Sequence, residues 1–206
     1  LRIGFPAGLQ MAITSFSNVF VQSYINQFGS SCMAGWTTYG KLDKFCLLPI
    51  QSLGLSITTF VGQNLGAKKM ERARKGTAYA VILSIGAALV LMMPVMAAAP
   101  MLATLFTKDP EVIAYGVRFI RLMMPFYVAI SFNQILGNAL RGAGNSVVPM
   151  ILMMSSFIVF RQIYLFAISH IYNTITSVAL GYPFGWILCS VLLLIYYGKM
   201  GLTVKK

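Results

Sequence analysis

Amide and hydroxyl side chains recur at helical spacing within long apolar stretches of this sequence. Three sets, spaced at intervals of three or four residues, comprise Ser15, Asn18, Gln22 and Asn26; Ser52, Ser56, Thr59 and Gln63; and Ser131, Gln134 and Asn138. Residues three and four apart lie on one face of a helix, so each set forms a polar stripe. Such groups hydrogen-bond polar molecules and bind cations weakly, but they cannot exchange a proton near neutral pH. Their chemistry is therefore recognition rather than acid–base catalysis.

Two charged side chains, Asp43 and Arg161, fall well inside the apolar stretches. Charge is expensive inside a membrane, so such residues are candidates for function. Asp43 could bind a cation or a substrate, or it could neutralise Lys41 or Lys44 near the outer interface, and both interpretations stay open. Arg161 lies in the outward half of its stretch, so it is predicted to extend its guanidinium to the membrane interface.

Residues that could catalyse a reaction or bind a metal are sparse and scattered. Cys32, Cys46 and Cys189 form no CxxC pair, and His170 has no acidic neighbour. Metal sites and catalytic centres need several such groups at suitable spacing. The sequence therefore predicts no metal site, no cofactor and no enzymatic activity.

The amino-acid composition indicates that the chain folds in a lipid membrane rather than in water. Hydrophobic residues make up 58% of the sequence and charged residues only 10%, whereas a soluble domain carries about 25% charged residues. The net charge of +12 falls mostly in short connectors between apolar stretches, where it sets membrane topology. That placement argues against a nucleic-acid partner, which would need a solvated basic surface.

Six apolar stretches are long enough to cross a bilayer core, which needs roughly 20 helical residues. They cover residues 5–28, 33–65, 77–100, 112–139, 147–171 and 178–198. The connectors contain no separate soluble domain. The sequence thus predicts an all-α integral membrane protein, with residues 1–206 forming a single six-helix transmembrane bundle surrounded by membrane lipids.

The distribution of basic residues predicts the orientation of this bundle. With Arg2 placed in the cytoplasm, that side of the membrane receives ten of the sixteen basic residues: Arg2, Lys68, Lys69, Arg72, Arg74, Lys75, Arg141, Lys199, Lys205 and Lys206. Cytoplasmic loops carry an excess of Lys and Arg. We therefore expect a multi-pass protein of the cell (inner) membrane with both termini in the cytoplasm.

The polar stripes indicate which spans face water. Bulky amides in hydrocarbon need partners, so three stripes favour a shared polar cavity lined by spans one, two and four. The third and sixth spans are almost wholly apolar and are predicted to face the bilayer. The candidate cavity residues are Asn18, Gln22, Asp43, Ser56, Gln63, Gln134 and Asn138. Hydrogen bonding between helices is the alternative explanation of the stripes.

Three glycine-containing segments carry a resemblance to a known family. They are Gly4–Gln10, with the sequence GFPAGLQ; Val61–Lys69, VGQNLGAKK, followed by ERA; and Leu140–Ser146, LRGAGNS. In this order the chain resembles the C-terminal half of the multidrug and toxic compound extrusion (MATE) family. The resemblance implies one lobe of a twelve-helix transporter, with an N-terminal lobe as its missing partner. It further implies a sodium- or proton-coupled antiporter that exports cationic or amphipathic drug-like compounds by alternating access.

The resemblance also exposes a gap in the coupling machinery. Some family members carry an essential carboxylate in the first and fourth helices of this lobe. Here the first span contains no acidic residue, and the fourth has only Glu111 at its outer edge. We therefore expect the coupling carboxylate in the N-terminal lobe, with Asp43 as the local alternative.

A lipid-linked precursor flippase of the same wider superfamily is the alternative function. A flippase should present a cationic cavity to its phosphate-bearing substrate, whereas these stripes are neutral, which favours the exporter.

Because the sequence begins without methionine at the edge of its first span, we also expect a fragment that does not transport by itself.

Overall fold

The chain folds as an all-helical bundle in a computed structural model that describes residues 4–202. The α-helices in chain order are α1 (Gly4–Asn26), α2 (Ser30–Gly66), α3 (Met70–Ala97), α4 (Ala99–Thr104), α5 (Pro110–Met123), α6 (Tyr127–Gly142), α7 (Val147–Met154), α8 (Arg161–Ile171) and α9 (Ile175–Met200). No strand occurs among the described residues. Arg2, Lys205 and Lys206, three of the residues used to predict the orientation, lie outside them.

Five segments of the described chain are long and apolar enough to cross a membrane. They are Ser30–Gly66, Met70–Ala97, Pro110–Gly142, Val147–Ile171 and Ile175–Met200. Helix α1 overlaps the first predicted stretch and is 23 residues long, but it carries a polar stripe and is not among the five. The all-α membrane fold is confirmed, and its division into one six-span domain stays a prediction.

Two of the membrane-length segments change helix type along their length. A 3₁₀ turn at Met124–Phe126, which contains Pro125, joins α5 to α6. Proline lacks the N–H that an α-helical hydrogen bond requires, which explains the tightened turn. A π-helical stretch at Ser155–Phe160 joins α7 to α8, and Arg161 is the first residue after it.

Helix α2 is central to the core and packs against α3, α5 and α6. The largest buried cluster includes Tyr39 and Ile50 from α2, Phe119 from α5, Tyr127 from α6 and Leu165 from α8. Helix α2 therefore connects the packing of α3, α5 and α6. The polar sites described below lie among these helices and their neighbours.

The two spans that the sequence predicts to face lipid, α3 and α9, differ in how much of them is buried within the bundle. Helix α3 buries 17% of its most apolar window, whereas α9 buries 44%. The buried face of α9 includes Gly181, Gly185, Cys189 and Leu193 at four-residue spacing. Small residues let helices approach closely, and a Cβ on Gly185 would lie 3.1 Å from the Ser156 carbonyl oxygen. Apolarity alone did not reveal this packing face.

Helices α2 and α5 make their closest approach at glycine. A Cβ on Gly35 would lie 2.5 Å from the Tyr115 Cβ and 2.9 Å from the Gly116 nitrogen. Such distances require the backbones to move apart, because neither neighbouring atom can rotate away. Gly40, on the same helix, has no atom within 4 Å of its Cβ position.

We predict that Gly35→Ala destabilises the protein and that Gly40→Ala does not. Overpacking of this kind costs about 1–3 kcal/mol, while alanine at an unobstructed helical position is favoured over glycine by up to about 1 kcal/mol. Thermal unfolding of both variants in detergent would measure the difference. Equal melting temperatures would contradict the close approach of α2 and α5.

Candidate functional site

Asp43 is half-buried in the bundle, and two tyrosine hydroxyls donate hydrogen bonds to it. The Tyr39 hydroxyl, one turn earlier on α2, donates to Asp43 Oδ1 over 3.0 Å. The Tyr127 hydroxyl, at the start of α6, donates to the same oxygen. At 1.5 Å per residue, Asp43 is about 20 Å from the start of α2. The site is therefore a membrane-embedded carboxylate that two neutral donors orient.

The lysines beside Asp43 in sequence do not pair with it. In the part of the chain that the structure describes, the only ion pair joins Lys75 to Glu71. Lys41 and Lys44 are both exposed, and the Lys41 ammonium lies 4.8 Å from the centre of the Phe106 ring. Neither lysine therefore forms a direct ion pair with Asp43.

A row of aromatic rings runs from the Asp43 site towards α9. The Trp36 ring centre lies 5.2 Å from that of Tyr39 and 5.3 Å from that of Tyr182. Tyr182 in turn lies 6.1 Å from Trp186. These separations are typical of interacting aromatic pairs. The row ends beside Arg161, whose guanidinium packs on the Tyr182 ring.

Arg161 is buried, so the prediction that it reaches the membrane interface is wrong. Its exposed fraction is 4%. Its Nη2 donates to Ser17 Oγ over 2.7 Å and to Asn18 Oδ1 over 3.0 Å, and its guanidinium lies 4.6 Å from the centre of the Tyr182 ring. Gln162 also donates to Ser17 Oγ, over 3.0 Å. Hydrogen bonding to α1 and stacking on α9 replace the water that snorkelling would have supplied.

A third polar cluster surrounds Arg141 at the end of α6. Its Nη2 donates to Gln10 Oε1 on α1 over 2.7 Å, and its Nη1 donates to Asn138 Oδ1 over 3.1 Å. Asn138 donates to the Gln134 carbonyl over 2.8 Å, and its own carbonyl accepts from Thr58 Oγ1 over 3.1 Å. Side chains from three helices therefore satisfy one another here, as in the alternative explanation of the stripes.

The remaining predicted cavity residues lie nearer the surface. Gln22 donates to Asn26 Oδ1 over 3.1 Å on the same helix. Ser56 is exposed and donates to the Ser52 carbonyl over 2.9 Å, and Gln63 is exposed as well. The exposed side chains of Ser56 and Gln63 are accessible to another molecule.

The structure therefore distributes the candidate residues among several places. Asn18 belongs to the Arg161 cluster, Asp43 to the tyrosine pair, and Gln134 and Asn138 to the Arg141 cluster, whereas the other three lie nearer the surface. That all seven line one shared cavity stays a prediction. Sequence reasoning missed the tyrosine donors, although the four-residue spacing of Tyr39 and Asp43 was a usable signal.

The described residues contain no group of three His, Cys, Asp or Glu side chains that could hold a metal ion. A transition-metal site needs several such side chains close together as ligands. The polar sites consist instead of single charges surrounded by neutral hydrogen-bonding partners, an arrangement that suits binding of a passing ion or molecule.

A bundle of apolar helices with buried single charges is the architecture of a polytopic membrane transporter, and sequence comparison agrees. The sequence profile of the MatE family matches residues 6–167. The chain therefore belongs to the MATE family, whose members are membrane transporters and not enzymes.

Two relatives in this family are probable multidrug resistance proteins. The chain is 25% identical over its whole length to the probable multidrug resistance protein YoeA of Bacillus subtilis, of which it covers 44%. It is 23% identical over 156 residues to the probable multidrug resistance protein NorM of Thermotoga maritima, covering 74% of this chain and 33% of that protein. The chain thus spans less than half the length of these relatives. None of this supports the flippase alternative.

Solved structures confirm the fold. An outward-facing multidrug resistance MATE family transporter of the MOP superfamily superposes with a TM-score of 0.89 at 20% identity, over 98% of this chain and 46% of that one. A MOP superfamily transporter from Pyrococcus furiosus gives the same TM-score at 21% identity and the same coverage. The chain therefore has the fold of one half of such a transporter.

We predict that cysteines introduced at Ser56 and Gln63 react with a membrane-impermeant maleimide in the full-length transporter. Both side chains are exposed on the polar stripe of α2, and a cavity would give water access to them. The native cysteines at 32, 46 and 189 are buried, so background labelling should be low. Ile82→Cys, at an exposed apolar position on α3, is the control that should stay unlabelled. Equal protection of all three introduced cysteines would contradict a water-filled cavity.

Proposed function

We propose that this chain forms one half of a cation-coupled multidrug efflux antiporter of the cell membrane. Membership of the family supports transport, and the similarity to the probable multidrug resistance proteins YoeA and NorM supports drugs as the substrate class. The observation that carries the coupling part of the proposal is the half-buried Asp43 carboxylate with its two tyrosine donors.

The charge balance around Asp43 explains why a cation should bind there. Phenol hydroxyls stabilise a carboxylate by hydrogen bonding but do not neutralise its charge. A carboxylate inside a membrane is costly unless a positive partner accompanies it. Both tyrosines use Oδ1, so Oδ2 takes no part in these bonds. A proton or a sodium ion at Oδ2 would complete the site, and its release would restore the uncompensated charge.

This arrangement would couple ion movement to the shape of the bundle. Asp43 and Tyr39 belong to α2, while Tyr127 follows the 3₁₀ turn at Met124–Phe126. Binding or loss of a cation changes how strongly the carboxylate attracts the Tyr127 hydroxyl. The contact between α2 and α6 would therefore differ between the loaded and the empty site, which is what alternating access requires.

The transported compounds would bind where this half faces the other. Substrate sites of repeat-built transporters lie between the repeats near the middle of the membrane. The exposed polar positions on α1 and α2, including Asn18, Ser56 and Gln63, are suited to that interface. We infer that cationic or amphipathic drug-like compounds bind there, and that both termini of the chain lie in the cytoplasm.

We predict that Asp43→Asn in the full-length transporter reduces gradient-driven efflux at least about tenfold, a loss of about 1.4 kcal/mol in coupling. Asparagine can still accept the tyrosine hydrogen bonds but cannot bind a proton or supply a charge to sodium. Efflux from proteoliposomes under imposed sodium or proton gradients would measure the effect and identify the ion. Glu71→Gln, at an exposed carboxylate, is the matched control.

Unchanged coupling in Asp43→Asn would remove Asp43 from the mechanism. The coupling carboxylate would then lie in the other half of the transporter, as the sequence resemblance implied. Because the variant retains the shape of the side chain, we expect its melting temperature to equal or exceed that of the parent. A large fall in stability would indicate a structural role for the carboxylate instead.

We predict that residues 1–206 expressed alone do not export drugs from sensitive cells that lack native exporters. The exposed polar groups of α1 and α2 would face lipid without a second lobe, and unsatisfied amides cost several kcal/mol each in hydrocarbon. Co-expression with the remaining half is the control that should restore efflux. Robust energy-dependent efflux from a demonstrated monomer would contradict the two-lobe mechanism, whereas efflux from a homodimer would identify a natural half-transporter.

A further inference from the structure

Arg161 carries a buried positive charge that the coupling mechanism does not use. Its exposed fraction is 4%, and within residues 4–202 the only ion pair is between Lys75 and Glu71. Its hydrogen-bond acceptors, Ser17 and Asn18, are neutral. A buried guanidinium in a membrane protein ordinarily has an anionic partner or lines a functional path. Here no carboxylate of the described chain supplies one.

One N–H donor of the Arg161 guanidinium, Nε, has no hydrogen-bond acceptor in the described chain. Nη2 makes two hydrogen bonds, to Ser17 Oγ and Asn18 Oδ1, whereas the buried Nε has no hydrogen-bond partner in the described chain. Buried donors without partners are rare in folded proteins, because they lose the hydrogen bonds that water would provide. The free Nε therefore indicates a place for an acceptor that comes from elsewhere.

The guanidinium is fixed in orientation before any such acceptor arrives. The Tyr182 ring supports one face of the plane at 4.6 Å, and the Nη2 bonds to α1 fix its rotation. Arginine N–H groups donate strong, charge-assisted hydrogen bonds to carboxylate and phosphate oxygens, and here Nε is the donor without a partner in the described chain. An arginine that is already oriented loses little freedom on binding an oxyanion.

The backbone before Arg161 has an unusual form as well. The π-helical stretch Ser155–Phe160 ends directly before it. Such stretches widen the helix and change the direction of the side chains that follow, and they are frequent at functional sites. This feature is independent of the side-chain contacts, and it marks the same residue.

Asp43 does not serve as the missing partner. Its Oδ1 accepts from Tyr39 and Tyr127, and no ion pair with Arg161 is formed. Tyr182, which supports the guanidinium, and Trp36, which packs on both Tyr182 and Tyr39, lie in the row between the two charges. The two sites are therefore separate, with opposite charge and different partners.

We propose that Arg161 is the anion-recognition residue of this half and binds a carboxylate or phosphate oxygen of the transported molecule. This inference rests on the proposed transport function and narrows its substrate class to amphipathic compounds that carry an oxyanion. The Asn18 side chain bonds to Nη2 and is exposed, and we infer that the anion approaches Nε from this side.

An acidic side chain from the other half of the transporter is the competing partner. Helix α1 carries Ser17 and Asn18, which lie directly against the guanidinium. An acidic side chain of another lobe would have to extend past α1 to reach Nε. Asn18 is exposed beside the guanidinium, so we assign the transported compound to this place and leave an acidic partner as an outcome of the test.

Two dyes that share one cationic ring system test the proposal. Rhodamine B carries a free carboxylate, and rhodamine B ethyl ester is the same amphipathic cation with that carboxylate masked. In the full-length transporter in proteoliposomes, we expect Arg161→Gln to raise the KM for rhodamine B at least about tenfold, the loss of one strong charged contact. The KM for the ester should change by less than about twofold, because the masked group makes no charged contact.

Two further variants separate recognition from structure. Gln162→Ala removes a neighbouring hydrogen bond to Ser17 but keeps the charge, so it should affect both dyes equally and weakly. Arg161→Lys keeps the charge but loses the planar pair of donors, so it should recover only part of the selectivity. An equal loss of both dyes in Arg161→Gln would identify a structural role or an acidic partner in the other half, and would overturn the proposal.

Binding to the unmodified transporter gives a second measurement that needs no variant. We expect rhodamine B to raise the melting temperature of the detergent-solubilised transporter more than the ester does, and Arg161→Gln to abolish that difference. Equal shifts from both dyes would overturn the anion site. Selective binding of rhodamine B without transport would retain the anion site and contradict the proposed efflux function, so the two failures are distinguishable.

Discussion

The absence of water in the membrane interior is the constraint on which this structure depends. A charge placed there must obtain its hydrogen bonds from other parts of the chain. Asp43 obtains them from Tyr39 and from Tyr127 on another helix, while Arg161 obtains them from α1 and from the ring of Tyr182. These contacts join helices that are far apart in sequence, so the two charges help to determine which helices are neighbours.

The sequence was sufficient for the solvent, the fold class and the family, because these depend on local patterns. Long apolar stretches with few charges are incompatible with a soluble globule, and the glycine-containing segments carried the family resemblance. The environment of Arg161 was predicted wrongly for a physical reason. Its acceptors Ser17 and Asn18 precede it by 144 and 143 residues, and nothing in the local pattern of α8 indicates them.

The polar stripes show the same limit. Helical spacing correctly identified side chains that share a face, but it did not distinguish satisfied groups from available ones. Asn138 has partners from its own helix and from α2, whereas Gln63 is exposed. Likewise, α9 looked uniformly apolar in sequence, yet its small residues at four-residue spacing form a packing face. Whether an apolar or polar face is buried depends on the shape of the neighbouring helix, which a single stretch of sequence does not contain.

The two charges differ in a way that bears on transport. A carboxylate can lose its charge by binding a proton, whereas a guanidinium remains charged at any physiological pH. Asp43 is therefore suited to a cycle in which its charge appears and disappears, while Arg161 presents a constant charge to whatever reaches it. The aromatic row from Tyr39 through Trp36 to Tyr182 keeps them apart. If they paired directly, each would neutralise the other, and neither would be available to an ion or a transported molecule. On our proposals, this separation allows one half of the transporter to respond to a coupling cation and to an anionic substrate group independently.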